Sequence, residues 1–288
     1  MVLLSLTVAQ LSKYVPPHKL VSFDDLLKLE SFLLNARKLF VMTGAGISTE
    51  SGIRDYRSEG VGIYTATNHR PVIYADFLRS SVVRQRYWAR NTAAWPLFSS
   101  FEPNIAHSYL SLLERKNKLH WLVTQNVDRL HQKAGSTRIT ELHGSMFGVV
   151  CLGCNLAISR QALQEKIQAE NPNWSATPEE LAPDGDVFVA EEKTRTFRAP
   201  SCDVCGGILK PDVVFFGDTV PKQKVELVTQ KLMESDSLLV IGSSLQTYSS
   251  YRHVHHGVEK GLPTLIINIG PTRADTLADK IEGGVCTW

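Results

Sequence analysis

Residues 38–49 read Lys-Leu-Phe-Val-Met-Thr-Gly-Ala-Gly-Ile-Ser-Thr, an apolar run that opens into a glycine turn, and this stretch sets the fold class. The run 38–42 lacks polar alternation and is too short for a helix, so it reads as a strand buried on both faces, as in a parallel sheet. Gly44 and Gly46 directly after it let backbone amides approach a pyrophosphate, whose charge a following helix start would favour. A plain dinucleotide fingerprint would need a third glycine at position 49, where Thr49 stands. It would also need an acidic ribose ligand about 20 residues on, and that neighbourhood reads Gly62-Ile63-Tyr64-Thr65. Nucleotide binding and a simple tight turn are even alternatives on this motif alone.

Outward from this turn, strands alternate with helices. Leu26, Leu27, Leu29, Phe32, Leu33 and Leu34 recur at helical spacing over 24–36, with Ser22 or Asp24 to cap the start. The runs 120–124, 237–241 and 264–268 read as further strands, and 222–233 as a helix. The pattern predicts an α/β fold, a Rossmann-like doubly wound parallel sheet built from 20–150 and 208–288 after an N-terminal extension, 1–19. The stretch 151–207 breaks the alternation and reads as an inserted small domain. It carries Cys151-x-x-Cys154, then 47 intervening residues, then Cys202-x-x-Cys205. Two such knuckles supply four thiolates for tetrahedral zinc, and four sulfurs leave no open position for water, so the expected metal is structural.

Composition narrows the function classes. The chain has 288 residues, 43% apolar and 21% charged, with a formal charge of +2. Disorder, collagen and coiled-coil readings fail on these values. The small charge surplus argues against a nucleic-acid or anionic-membrane partner. The apolar start, 1–12, is shorter than the roughly 20 residues of a spanning helix, and no presequence is visible. Pairing of four of the five cysteines suits a reduced compartment with a metal site.

Polar residues at a strand's C-terminal end lie where open α/β sheets bind ligands, and Thr124-Gln125-Asn126-Val127-Asp128 is so placed. Helix capping by Asn126 or Asp128 is the alternative, with the following helix, 129–134, closed by Gly135. His143, in Thr140-Glu141-Leu142-His143-Gly144, is either structural or a general base. His253, His255 and His256 read as a helix surface.

Taken in order, these motifs resemble the sirtuin family of NAD-dependent protein deacylases. The resemblance rests on 44–48 (GAGIS), 52–58 (GIRDYRS), 124–128 (TQNVD), 141–144 (ELHG), the cysteine pairs, 210–217 (KPDVVFFG), 242–245 (GSSL) and 267–270 (INIG). Asp55-Tyr56-Arg57, Ser243 and the segment 181–186 (LAPDGD) are most similar to the class II, mitochondrial branch. Arg54 stands where the family usually has proline, and the ending at Trp288 lacks the relatives' final helix.

The resemblance implies NAD and zinc as cofactors, and acyl-lysine proteins as partners. The implied reaction passes an acyl group to ADP-ribose with release of nicotinamide. Lipoyl or dicarboxylic acyl groups are favoured, protein ADP-ribosylation is a side activity, and the setting is the mitochondrial matrix. By the same resemblance His143 is the general base, Asn126 orients the ribose and water, and Asp128 holds the nicotinamide carboxamide. Gly44, Ala45, Gly46, Ser48, Asp55, Tyr56 and Arg57 surround the phosphates and nicotinamide side. Gln125, Val127, Gly242, Ser243, Ser244, Asn268, Ile269, Gly270 and Cys286 complete the cofactor set. Val214, Phe215, Phe216 and Gly217, with Leu245 and Gln246, sandwich the substrate peptide as an added strand. Tyr87 and Arg90, three residues apart on a helix, would hold an acidic acyl tail. Two rival readings remain: a nicotinamide-dependent oxidoreductase, opposed by the missing ribose carboxylate, and a zinc-ribbon nucleic-acid-binding module, which explains the cysteines but not the rest of the chain.

Overall fold

The computed structural model describes residues 13–67, 70–178 and 181–283. Helix α1 (Phe23–Asn35) starts in a capping box, in which Ser22 Oγ accepts from Asp25 N and the Asp25 carboxylate accepts from Ser22 N. Then follow β1 (Leu39–Thr43), a 3-10 turn (Ala45–Ser51), α2 (Ile63–Ala66), α3 (Tyr74–Arg79), α4 (Ser81–Ser100), α5 (Ile105–Arg115), β2 (Leu119–Thr124), α6 (Leu130–Lys133) and β3 (Ile139–Glu141). The middle holds β4 (Gly144–Cys151), β5 (Ala157–Ser159), α7 (Arg160–Glu170), α8 (Glu191–Arg195) and β6 (Leu209–Val213). The chain closes with α9 (Lys222–Met233), β7 (Ser237–Ile241), α10 (Tyr248–Glu259), β8 (Thr264–Ile267) and β9 (Asp279–Ile281).

The main sheet runs β3-β2-β1-β7-β8-β9 with every neighbour parallel. Every residue of β1 is buried because the strand feeds two cores at once. Leu39 and Val41 face the core that includes Ala106 and Leu110 of α5, whereas Phe40 and Met42 face Val228 and Leu232 of α9 and Val254 of α10. The short edge strands β3 and β9 were not legible in the sequence. In α10, His253 is 2% exposed, so it packs inward rather than on the surface expected for it.

The strand order reverses between β1 and β7, and in a doubly wound sheet such a switch point opens the ligand crevice at the strands' carboxyl ends. Here the two loops leaving those strands touch through backbone. Gly46 N donates to Gly242 O at 2.9 Å, and Gly44 N donates to Ile241 O at 3.2 Å. Gly242 has φ +59°, and a Cβ on it would lie 2.4 Å from Ile47 N. Glycine is therefore required there for both conformation and space.

A second, antiparallel sheet, β5-β4-β6, carries the cysteine knuckles. Cys151 Sγ lies 3.5 Å from Cys205 Sγ and Cys154 Sγ 3.7 Å from Cys202 Sγ, and all four sulfurs fall within 4.8 Å of one another. Sulfurs tetrahedrally placed about 2.3 Å from a zinc ion are about 3.8 Å apart, so the cage fits zinc. The module is larger than the expected insert, since its strands begin at Gly144 and end at Val213. It also recruits α4, whose Tyr87, Trp88, Trp95 and Phe98 share one core with Met146, Val149, Leu163 and Phe197. Fully buried Arg160 of α7 ties them further, donating to Asn91 Oδ1 at 2.8 Å and lying over the Trp95 ring at 4.8 Å. A helix apolar around most of its girth needs cover on more than one side, and the module supplies it.

Two outcomes are expected. Cys202→Ser or chelation should release one zinc per chain and loosen the core around Trp88 and Trp95, measured by metal content and tryptophan emission, because metal binding and local folding are linked. A metal-free chain with unaltered emission would refute this role. Gly242→Ala should destabilise the fold by about 2–4 kcal/mol in denaturant titrations, against about 1 kcal/mol for Gly261→Ala; Gly261 also has positive φ but meets nothing within 4 Å.

Candidate active site

A cleft of about 1280 Å³ runs along the switch point, between the parallel sheet and the cysteine module. That is room for a dinucleotide and the end of a side chain together. Gly44, Ala45, Gly46 and Ser48 line one wall, with Asp55, Tyr56 and Arg57 from the next loop. Gln125, Val127, Gly242, Ser243, Ser244, Asn268, Ile269 and Gly270 line the sheet end. Asn126, Asp128 and His143 meet them in the middle, and Val214, Phe215, Phe216, Gly217, Gln246 and Tyr87 line the remainder. Leu245 is buried in the α9–α10 core instead, at φ +54°. Cys286 lies outside the described residues.

The loop after β1 is rigid for local reasons. The Asp55 carboxylate accepts from Arg57 N, Ser58 N and Ser58 Oγ, folding the chain back on itself. The Tyr56 ring packs against Tyr64 with centroids 5.3 Å apart and planes tilted by 42°, and burial raises its hydroxyl well above the usual phenol range. Arg54, in place of the family's proline, lies over the Tyr14 ring at 5.0 Å. Pro16 and Pro17 of the N-terminal extension also reach the cleft rim.

The polar centre is a chain of hydrogen bonds. Asn126 Nδ2 donates to Ser48 Oγ at 3.0 Å, and Ser48 Oγ donates to Asp128 Oδ2 at 2.7 Å. Asp128 Oδ1 accepts from Leu130 N at 2.9 Å, but the N-cap position of α6 is Arg129, so neither Asn126 nor Asp128 is the helix cap considered from sequence. Burial raises the Asp128 carboxyl above its usual range, against the pull of these donors. Gln125 Nε2 donates to Ser243 Oγ at 2.7 Å, joining the β2 and β7 ends.

His143 sits between these groups and α10. Its Nδ1 is 3.1 Å from Gln125 O and its Nε2 is 2.9 Å from Ser249 Oγ. A carbonyl only accepts, so Nδ1 carries the proton and Nε2 is the acceptor, a tautomer fixed by the backbone. Burial, helped by the nearby Lys224 ammonium, lowers the imidazole to about 4. The ring is thus neutral at physiological pH with its lone pair toward the cleft, as a base requires.

Tyr87 and Arg90 share α4 as expected but differ in surroundings. The Tyr87 ring is packed against Phe77 and Phe215 at 5.4 and 5.3 Å. Arg90 does not itself line the cleft, but its guanidinium binds the cleft-lining Asp186 carboxylate at 2.7 Å and donates to Val187 O. Burial raises Asp186 to about 7 despite Arg90. The cleft also takes in polar residues to which the sequence assigned no site role, among them Asp184 and Asp186 of the segment 181–186 and Thr247 and Ser249 at the start of α10. The hydroxyl-rich run 247–250 was the one available signal for the latter pair.

Comparison with known proteins fits this geometry. The profile of the Sir2 family matches residues 44–249. The chain is 58% identical over 265 residues to the NAD-dependent protein lipoamidase sirtuin-4, mitochondrial, of Bos taurus, covering 92% of this chain and 84% of that one. It is 51% identical over 267 residues to the NAD-dependent protein deacylase Sirt4 of Drosophila melanogaster, covering 93% and 86%. A solved Sir2–p53 peptide–NAD+ complex superposes with a TM-score of 0.68 at 27% identity, over 90% of this chain and 92% of that one. A Sir2 enzyme bound to a propionylated peptide superposes with a TM-score of 0.69 at 27% identity, covering 90% and 93%. With the family's motifs assembled around one cleft and the match spanning most of its length, the chain belongs to the Sir2 family.

Proposed function

We propose that this protein is an NAD-dependent protein-lysine deacylase that acts on long acyl groups of the lipoyl type, in mitochondria. The observation that carries the reading is a neutral histidine, His143, whose acceptor nitrogen meets the Ser249 hydroxyl in the cleft that Asn126 and Asp128 also line. Similarity to relatives named lipoamidases and deacylases supports the substrate class, and their mitochondrial naming supports the location.

NAD held in this cleft would supply the ribose–nicotinamide bond, with nicotinamide as the leaving group that the acyl-lysine oxygen would replace. The glycine turn 44–46 would leave room for the phosphates along one wall, and Arg57 adds positive charge on the same wall. Asp128 and Asn126, held through Ser48, orient the nicotinamide and ribose ends. His143 Nε2 accepts the proton of a ribose hydroxyl, while Nδ1–H on Gln125 O keeps the ring in place as charge develops. The peptide lies as an extended strand between 214–217 and 244–246, so its side chains are read loosely. The acyl chain enters between Ile53, Val72, Tyr87 and Phe215, apolar walls that favour a long hydrocarbon. An acidic tail would have to compete with Asp186 for Arg90.

His143→Ala should lower deacylation turnover about 100-fold or more while leaving the melting temperature close to wild type. Wild-type turnover in that variant would rule out His143 as the base. The base works deprotonated, so activity is lost as pH falls through its pKa. With His143 lowered to about 4, kcat/KM should stay flat from about pH 6 to 8 as far as this group sets it. A titration near 6.5 in that profile would contradict the burial argument.

A further inference from the structure

The acceptor nitrogen of His143 already has a partner from a different part of the chain. Ser249, on the first turn of α10, places Oγ 2.9 Å from Nε2 and lines the same cleft. Because Nδ1 must donate to Gln125 O, Nε2 has a single lone pair and no hydrogen, so Ser249 is the donor. A ribose hydroxyl needs that same lone pair. We propose that Ser249 is a positioning residue for the base, holding the Nε2 lone pair in the resting site until the ribose hydroxyl displaces it. This rests on His143 being the base.

The surroundings suit such an exchange. Thr247, which opens α10, donates to Gln125 Oε1 at 3.2 Å and shares a 2.7 Å hydroxyl contact with Ser250. The first turn of α10 thus grips Gln125 by its side chain, while the Gln125 carbonyl fixes the opposite edge of the His143 ring. Ring orientation therefore survives when Ser249 lets go. A serine hydroxyl can also turn round, donating to a neutral Nε2 and accepting from a protonated one. Once Nε2 has taken the ribose proton, Ser249 can receive that N–H.

Removing the hydroxyl has a signed consequence. A donor at Nε2 favours the neutral ring, so its loss raises the pKa. The other charged groups remain: Lys224 of α9, which lowers the ring, and Asp128 after β2, Arg252 of α10, Lys222 and Asp218, which line the same cleft. None of them is altered by the substitution.

The test uses the full-length protein and the variants Ser249→Ala, Ser249→Thr and His143→Ala. In the absence of substrate, NMR titration of the His143 ring should move upward by about half to one pH unit in Ser249→Ala and stay at the wild-type value in Ser249→Thr, which keeps the hydroxyl. With NAD and a lipoyl-lysine peptide, Ser249→Ala should lower KM by about 2- to 10-fold with kcat within about 3-fold, because no hydrogen bond has to be displaced. An unmoved ring titration overturns the proposal, as does a fall in kcat that Ser249→Thr shares. His143→Ala separates the two claims. If that variant keeps its turnover, the base assignment fails; if it is inactive while the Ser249→Ala ring titration is unmoved, only the Ser249 role fails.

Discussion

The structure depends on one close backbone approach, where Gly46 N meets Gly242 O across the sheet's switch point. Two parallel strands diverge at their carboxyl ends unless the loops that leave them can touch, and side chains at Gly44, Gly46 or Gly242 would hold them apart. A Cβ on Gly44 would sit 2.7 Å from Ser243 Cβ, and one on Gly46 would sit 2.9 Å from Gly242 O. With the loops in contact, the turn 44–46, the end of β2 and Ser243 open onto a single crevice.

Burial then sets the chemistry of that crevice. Low polarity disfavours charge on either kind of group, so it raises the carboxyl of Asp128 and lowers the imidazole of His143. An imidazolium could not accept a proton, and solvent exposure would leave His143 partly charged near pH 6.5. The site obtains a neutral imidazole from desolvation, and its orientation from a backbone carbonyl, which cannot itself titrate. Hydroxyls of Ser48, Ser243, Thr247 and Ser249 make most of the remaining connections, adjusting donor and acceptor roles without adding charge.

The cysteine module acts at a distance from this polar centre. Its sulfur cage holds β4 and β6 together, and Val214 N, directly after β6, donates to His143 O at 2.8 Å. The same module stacks α4 against Phe215 and brings the loop with Asp184 and Asp186 to the cleft. Zinc thereby influences the substrate wall through packing alone, since four sulfur ligands leave no site for chemistry.

The parallel sheet's four central strands, the glycine turn, the cysteine knuckles and the ordered motifs that carry the family resemblance can all be read along the chain. Each is a local signal: apolar runs of strand length, residues with unusual backbone freedom, or thiol pairs at ligand spacing. The edge strands β3 and β9 escaped because three residues each carry no period to read. Folding alone sets the meetings between segments far apart in the chain. The inward turn of His253, the recruitment of α4 into the module's core, the capture of Arg90 by Asp186, and the Ser249 hydroxyl on His143 each depend on which surface a neighbour leaves open. No local pattern encodes that, because the partner can lie 106 residues away, as Ser249 does from His143, or 121, as Leu209 does from Trp88, and is selected by packing.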